Sequence, residues 1–147
     1  MSKVLTFSRV FPKGHIFEGD KTFFAEKFLR NFRAEDWFED QCSTIWEALG
    51  YKCRSDLTNE IHGQSIKMHT IRKGERWKAG DTFSPRVWTG APYRTPQIIL
   101  APDITIVNEW RIKMDLLHKT LMINGTNYTV DYDKKVMALA SNDGLRY

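Results

Sequence analysis

The chain has 147 residues, of which 41% are hydrophobic and 27% charged, with a formal net charge of +4. That length suits a single domain with one core, and the composition is that of an ordinary globular protein. No apolar run is long enough to span a bilayer, nothing at the start resembles a signal peptide, and there is no low-complexity tract or internal repeat. The expectation is a cytoplasmic protein with no membrane association, in which Cys42 and Cys53 are reduced thiols.

The first element in chain order is a strand over Val4–Phe11, rich in β-branched and aromatic residues. A loop follows from Pro12 to Gly19. Asp20 is placed to cap a helix over Lys21–Phe32, whose Phe24, Phe28 and Ala25, Leu29, Phe32 follow the i, i+3/i+4 spacing. A second helix is expected over Glu35–Leu49. Acids crowd its first turns, Phe38, Cys42, Ile45 and Leu49 form one stripe, and Gly50 is placed to end it. Tyr51 to Ser65 shows no period and reads as a loop.

Beyond the polar stretch Ile66–Arg72, the run Arg76-Trp77-Lys78-Ala79-Gly80-Asp81 reads as a turn leading into a strand over Thr82–Trp88. Gln97–Leu100 and Ile104–Val107 read as strand cores, with a bulge or bend at Ala101-Pro102-Asp103. Trp110–Leu117 continues as strand. Asn124-Gly125, between Leu121–Ile123 and Thr126–Val130, marks a type I′ hairpin. Tyr132–Ala140 has helical spacing. Short successive strands with helices near both ends point to an α+β fold built on a small barrel; the alternating βα rhythm of a Rossmann sheet is absent.

Charge is unevenly spread. Residues 67–94 hold seven Lys/Arg against two acids, whereas residues 34–62 hold two against seven. A basic stretch suits a phosphate-bearing partner; a solvated surface balanced by the acidic block is the plain alternative. Within it, Lys67-x-x-Thr70-Ile71-Arg72 packs an amine, a hydroxyl and a guanidinium together. A lysine of lowered pKa can serve as general base, a threonine hydroxyl needs such a base to become a nucleophile, and an arginine grips a phosphate or carbonyl oxygen. In one continuous strand Lys67 and Thr70 would point to opposite faces, so a shared site requires a break between them. Trp88 to Arg94, including Tyr93, joins aromatics to cations in a way that can stack a base, or simply anchors a surface loop. Arg76 and Lys78 around Trp77 carry the same two readings. His62, His69, Cys42 and Cys53 fit no metal-ligand template, so neither a metal nor another cofactor is expected.

Lys67-Met68-His69-Thr70-Ile71-Arg72, followed by Trp77-x-x-Gly80-Asp81, resembles the signature of ASCH (activating signal cointegrator homology) domains. Met137–Leu145, with Asp143-Gly144-Leu145, is similar to that family's terminal helix. The resemblance implies one PUA-like β-barrel domain over 1–147, with residues 34–65 as an acidic, partly helical insertion. It also implies a partner: RNA, or a modified nucleoside or nucleotide. The residues expected to bind it around Lys67 and Thr70 are Arg72 and His69 of the motif, together with the aromatic and cationic Arg76, Lys78, Trp88, Tyr93 and Arg94. A bacterial branch of the family consists of metal-independent amidohydrolases that deacetylate N4-acetylcytidine with a lysine, a threonine and a glutamate. Lys67 and Thr70 match the first two, and Asp143 falls where the glutamate is expected. In that reading Lys67 activates Thr70 for attack on the acyl carbon, Asp143 orients Lys67 or shuttles a proton, and Arg72 or backbone N–H groups hold the oxyanion. A third possibility is a non-catalytic protein-interaction module that uses the acidic insertion.

Overall fold

The computed structural model describes residues 2–67, 69–72 and 74–142. In chain order the elements are β1 (Lys3–Phe7), α1 (Phe24–Arg30), α2 (Phe38–Ile45), α3 (Arg54–Gly63), β2 (Thr82–Trp88), β3 (Gln97–Ile99), β4 (Ile104–Thr105), β5 (Ile112–Asp115), β6 (Thr120–Ile123), β7 (Thr126–Asn127) and α4 (Tyr132–Asn142). The fold is therefore mixed α+β. Among the described residues the strands form two sheets, one of four strands and one of three, and no strand links the two.

β2 is the spine of the larger sheet. It pairs in parallel with β1 from Lys3↔Phe83 to Phe7↔Val87. Its other edge is shared by β4, opposite Thr82 and Phe83, and β3, opposite Arg86 to Trp88. Between those two pairings lies Pro85, which has no N–H to give to a ladder. Its carbonyl accepts from the Leu100 N–H at 2.9 Å. After β3 the backbone bends at Ala101 and Pro102, where the sequence places a bulge or bend. In the smaller sheet β5, β6 and β7 run antiparallel. Asn124 (φ 49°) and Gly125 (φ 80°) are both left-handed, as a type I′ turn requires.

α1 is shorter than its periodicity predicts. It is entered through Phe23 (φ 56°) and not through Asp20, and no side chain caps it. Thr22 explains the entry. It is buried, its hydroxyl donates to the Ser8 carbonyl at 2.6 Å, and its N–H donates to the Arg9 carbonyl at 3.0 Å. These bonds, with the Val10↔Lys21 bridge, tie the start of α1 to the end of β1.

Tyr51–Ser65 is not a loop. Arg54–Gly63 forms α3, with only Leu57 and Ile61 fully buried. Two apolar contacts in ten residues are too few to register as a period, so packing and not pattern specifies this helix. Residues 34–65 are also part of the main core. Phe38, Cys42, Ile45, Leu49, Leu57 and Ile61 pack in one cluster with Leu5, Phe7, Phe28, Leu29, Val87 and Leu100. Cys42 and Cys53 are free, the first buried and the second exposed. No helix of the described residues is long and apolar enough to cross a membrane.

Candidate functional site

Residues 64–67, 69–72 and 74–78 have no regular secondary structure, so the strand that would have parted Lys67 from Thr70 does not form. The stretch is instead strapped between two elements. Upstream, Arg30 on α1 donates to the His62 carbonyl. The Lys67 N–H donates to the Lys27 carbonyl at 3.2 Å, and Asn31 Nδ2 donates to the Lys67 carbonyl at 2.9 Å. Downstream, Arg72 Nη2 donates to the Thr6 carbonyl on β1 at 2.8 Å.

The strap bends Lys67, Thr70 and Arg72 around one pocket of about 170 Å³, closed by Phe7, Ser8, Phe24 and Ile71. Lys67 is 7% exposed, and its Nζ lies 4.8 Å from the centre of the Phe24 ring and 6.0 Å from that of Phe7. A buried ammonium over two aromatic faces is held by ring quadrupoles in place of part of its water shell. The pocket thus combines a buried cation, a hydroxyl and a guanidinium.

A second, larger cavity of about 500 Å³ adjoins the first. The two share Phe7, Ser8 and Phe24. The larger one reaches along Glu26, Tyr51 and Trp88 to Gly90, Ala91 and Pro92. Glu26 is 5% exposed, and Tyr51 donates its hydroxyl to Glu26 Oε1 at 2.6 Å. Burial, then that carboxylate, push the Tyr51 phenol far above its ordinary range, so it stays a donor.

The other anticipated residues divide. Trp88, at the end of β2, lines the larger cavity and packs against Tyr93 at 5.2 Å. Tyr93 and Arg94 are exposed on the loop that contributes Gly90, Ala91 and Pro92 to its rim. Arg76 and Lys78 lie apart from both cavities. Arg76 covers Trp77 at 5.1 Å, and the Lys78 N–H donates to Asp81 Oδ2 at 3.2 Å. Asp81 also receives Lys3 Nζ at 2.5 Å, so the Gly80-Asp81 turn fastens the start of β1. His69 lines neither cavity, and its buried Nε2 has no hydrogen-bond partner among the described residues. Asp143 lies outside the described residues. Among the described residues no three His, Cys, Asp or Glu side chains are grouped to hold a metal ion.

Sequence reasoning passed over Glu26 and Tyr51. The signal was present: Glu26-Lys27 is flanked by Phe23-Phe24-Ala25 and Phe28-Leu29, so a short helix there leaves its charged pair little open water. Comparison with protein-family models, curated proteins and solved structures returns no match at any of the three levels.

Proposed function

We propose that the chain is an ASCH-type domain of the PUA-like barrel class that binds RNA or a modified nucleoside through the pocket of Lys67, Thr70 and Arg72. One observation carries the reading: three polar residues of an irregular stretch converge on a single cavity, with the lysine almost wholly buried. The basic excess of residues 67–94 adds the long-range attraction that a polyanion feels. Arg72 presents a charged donor to phosphate or carbonyl oxygen, Lys67 a point charge beneath it, and Phe24 an apolar wall. The test is a titration with short single-stranded RNA at two salt concentrations. Binding that weakens steeply with salt, and more than tenfold on Lys67→Met, supports the reading; binding indifferent to both refutes it.

A second reading, an amidohydrolase acting on N4-acetylcytidine or a similar amide, draws on the shared placement of Lys67 and Thr70 in that pocket. In its neutral form Lys67 takes the Thr70 proton, the oxygen attacks the acyl carbon, and Arg72 faces the developing oxyanion; collapse of the adduct breaks the C–N bond as the lysine ammonium returns the proton to the departing N4 amine, and water then hydrolyses the threonine ester to release the carboxylic acid and restore the Thr70 hydroxyl. Turnover of N4-acetylcytidine that is lost in both Lys67→Met and Thr70→Val supports it. Absence of turnover at high protein concentration eliminates it for this substrate.

A further inference from the structure

The pocket of Lys67, Thr70 and Arg72 is too small to hold a nucleoside alone. Its volume is about 170 Å³, whereas sites for small organic ligands run from about 300 to about 1,000 Å³. The adjoining cavity, at about 500 Å³, falls within that range. The shared residues Phe7, Ser8 and Phe24 place the two cavities side by side, as a small and a large lobe. Their chemistry differs. The small lobe is cationic, while the large one holds a buried carboxylate and an indole.

Resting on the reading of the small lobe as a nucleotide site, we propose that the large cavity seats an amino-bearing nucleobase whose N–H edge is read by Glu26 and whose ring lies against Trp88. A carboxylate buried to 5% exposure needs donors. Among the described residues Glu26 accepts one hydrogen bond, from Tyr51 onto Oε1. That bond engages Oε1 and leaves acceptor positions, chiefly on Oε2, for a ligand. The other charged residues lining the cavity are Arg9 and Lys21; the Arg9 guanidinium donates to the Leu49 carbonyl at 2.6 Å. Adenine, cytosine and guanine each present an exocyclic amino group to such an acceptor. Uracil presents a single N–H between two carbonyl oxygens, which a carboxylate repels. The cavity wall contributes stacking that every base shares, so Trp88 supplies affinity and Glu26 supplies choice.

The experiment measures binding of adenosine, cytidine, guanosine and uridine 5′-monophosphates to the full chain, its Glu26→Gln variant and its Lys67→Met variant. The proposal predicts that the three amino-bearing nucleotides bind about 10- to 100-fold more tightly than uridine monophosphate. Glu26→Gln removes that gap, because an amide both donates and accepts, and Lys67→Met weakens all four alike. Equal binding of all four, unchanged by Glu26→Gln but weakened by Lys67→Met, overturns the base subsite and leaves the nucleotide pocket standing. No binding of any of the four overturns both. If Glu26→Gln does not fold, Trp88→Leu decides: loss of affinity for all four by a common factor supports a seated base, and unchanged affinity contradicts it.

Discussion

The main-chain N–H of Lys67 donates to the carbonyl of Lys27, 3.2 Å away in the last turns of α1. A residue without regular secondary structure is thus fixed by a helix that packs into the core through Phe28 and Leu29. Asn31 completes the arrangement, since its Nδ2 also reaches the Lys27 carbonyl at 3.3 Å and the Phe28 carbonyl at 3.1 Å. The position of the buried lysine is inherited from α1.

Asn31→Ala tests that inheritance. It removes the donor to the Lys67 carbonyl and the bonds closing the helix end, and should cost about 1–2 kcal/mol in stability. It should also weaken ligand binding although Asn31 lines neither cavity. Chemical denaturation and a nucleotide titration on one preparation check both effects. Full affinity with lowered stability would show that Lys67 is held by other contacts.

The acidic segment can be tested as core. Leu57 is fully buried against the cluster that holds Phe38 and Leu29. Leu57→Ala should destabilise the fold by about 2–5 kcal/mol in denaturant unfolding. A loss of a few tenths of a kcal/mol would mean that residues 34–65 form an appendage.

The two thiols should differ in reactivity. Cys42 has no exposed surface, and burial, reinforced by Glu39, raises its thiol pKa to about 11; Cys53 is exposed. Reaction needs the thiolate and access to it. A disulfide reagent at neutral pH should therefore modify one thiol quickly and the second only on unfolding. Two fast equivalents would contradict the packing of α2.

Asp81 sets an acid-side dependence. The hydrogen bond from Lys3 holds its carboxyl below the ordinary range, with further help from Lys78. A lowered folded-state pKa contributes stability that is present above the unfolded value and is lost as pH falls through the folded one. Carboxyl NMR titration should place Asp81 below a free aspartate, and Lys3→Met should raise it. An unchanged midpoint would show that the contact between β1 and the turn does not persist in solution.

Much of this architecture was readable residue by residue. The Asn124-Gly125 turn, the bend at Ala101-Pro102-Asp103 and the cores of α1, α2 and β2 follow from local chemistry that tertiary context does not override. α3 was hidden because Leu57 and Ile61 leave too sparse a stripe. The convergence of Lys67, Thr70 and Arg72 could be stated only as a condition, since it depends on bonds to Lys27, Asn31 and Thr6 that are distant in sequence. Glu26 was passed over although it stands as a charged residue in a phenylalanine-rich helix. Its placement in a cavity beside Trp88 was not legible, because 62 positions separate the two.

The most direct test of the central claim is the salt dependence of single-stranded RNA binding by the native chain and by Arg72→Gln, a change at an exposed position. If Arg72 meets phosphate in the pocket, the variant binds more weakly at low salt. Its plot of log affinity against log salt is shallower by about 0.7 to about 1, the release of one contact's counterions. Identical affinity and slope for the two proteins would contradict the claim that this pocket is where the chain meets nucleic acid.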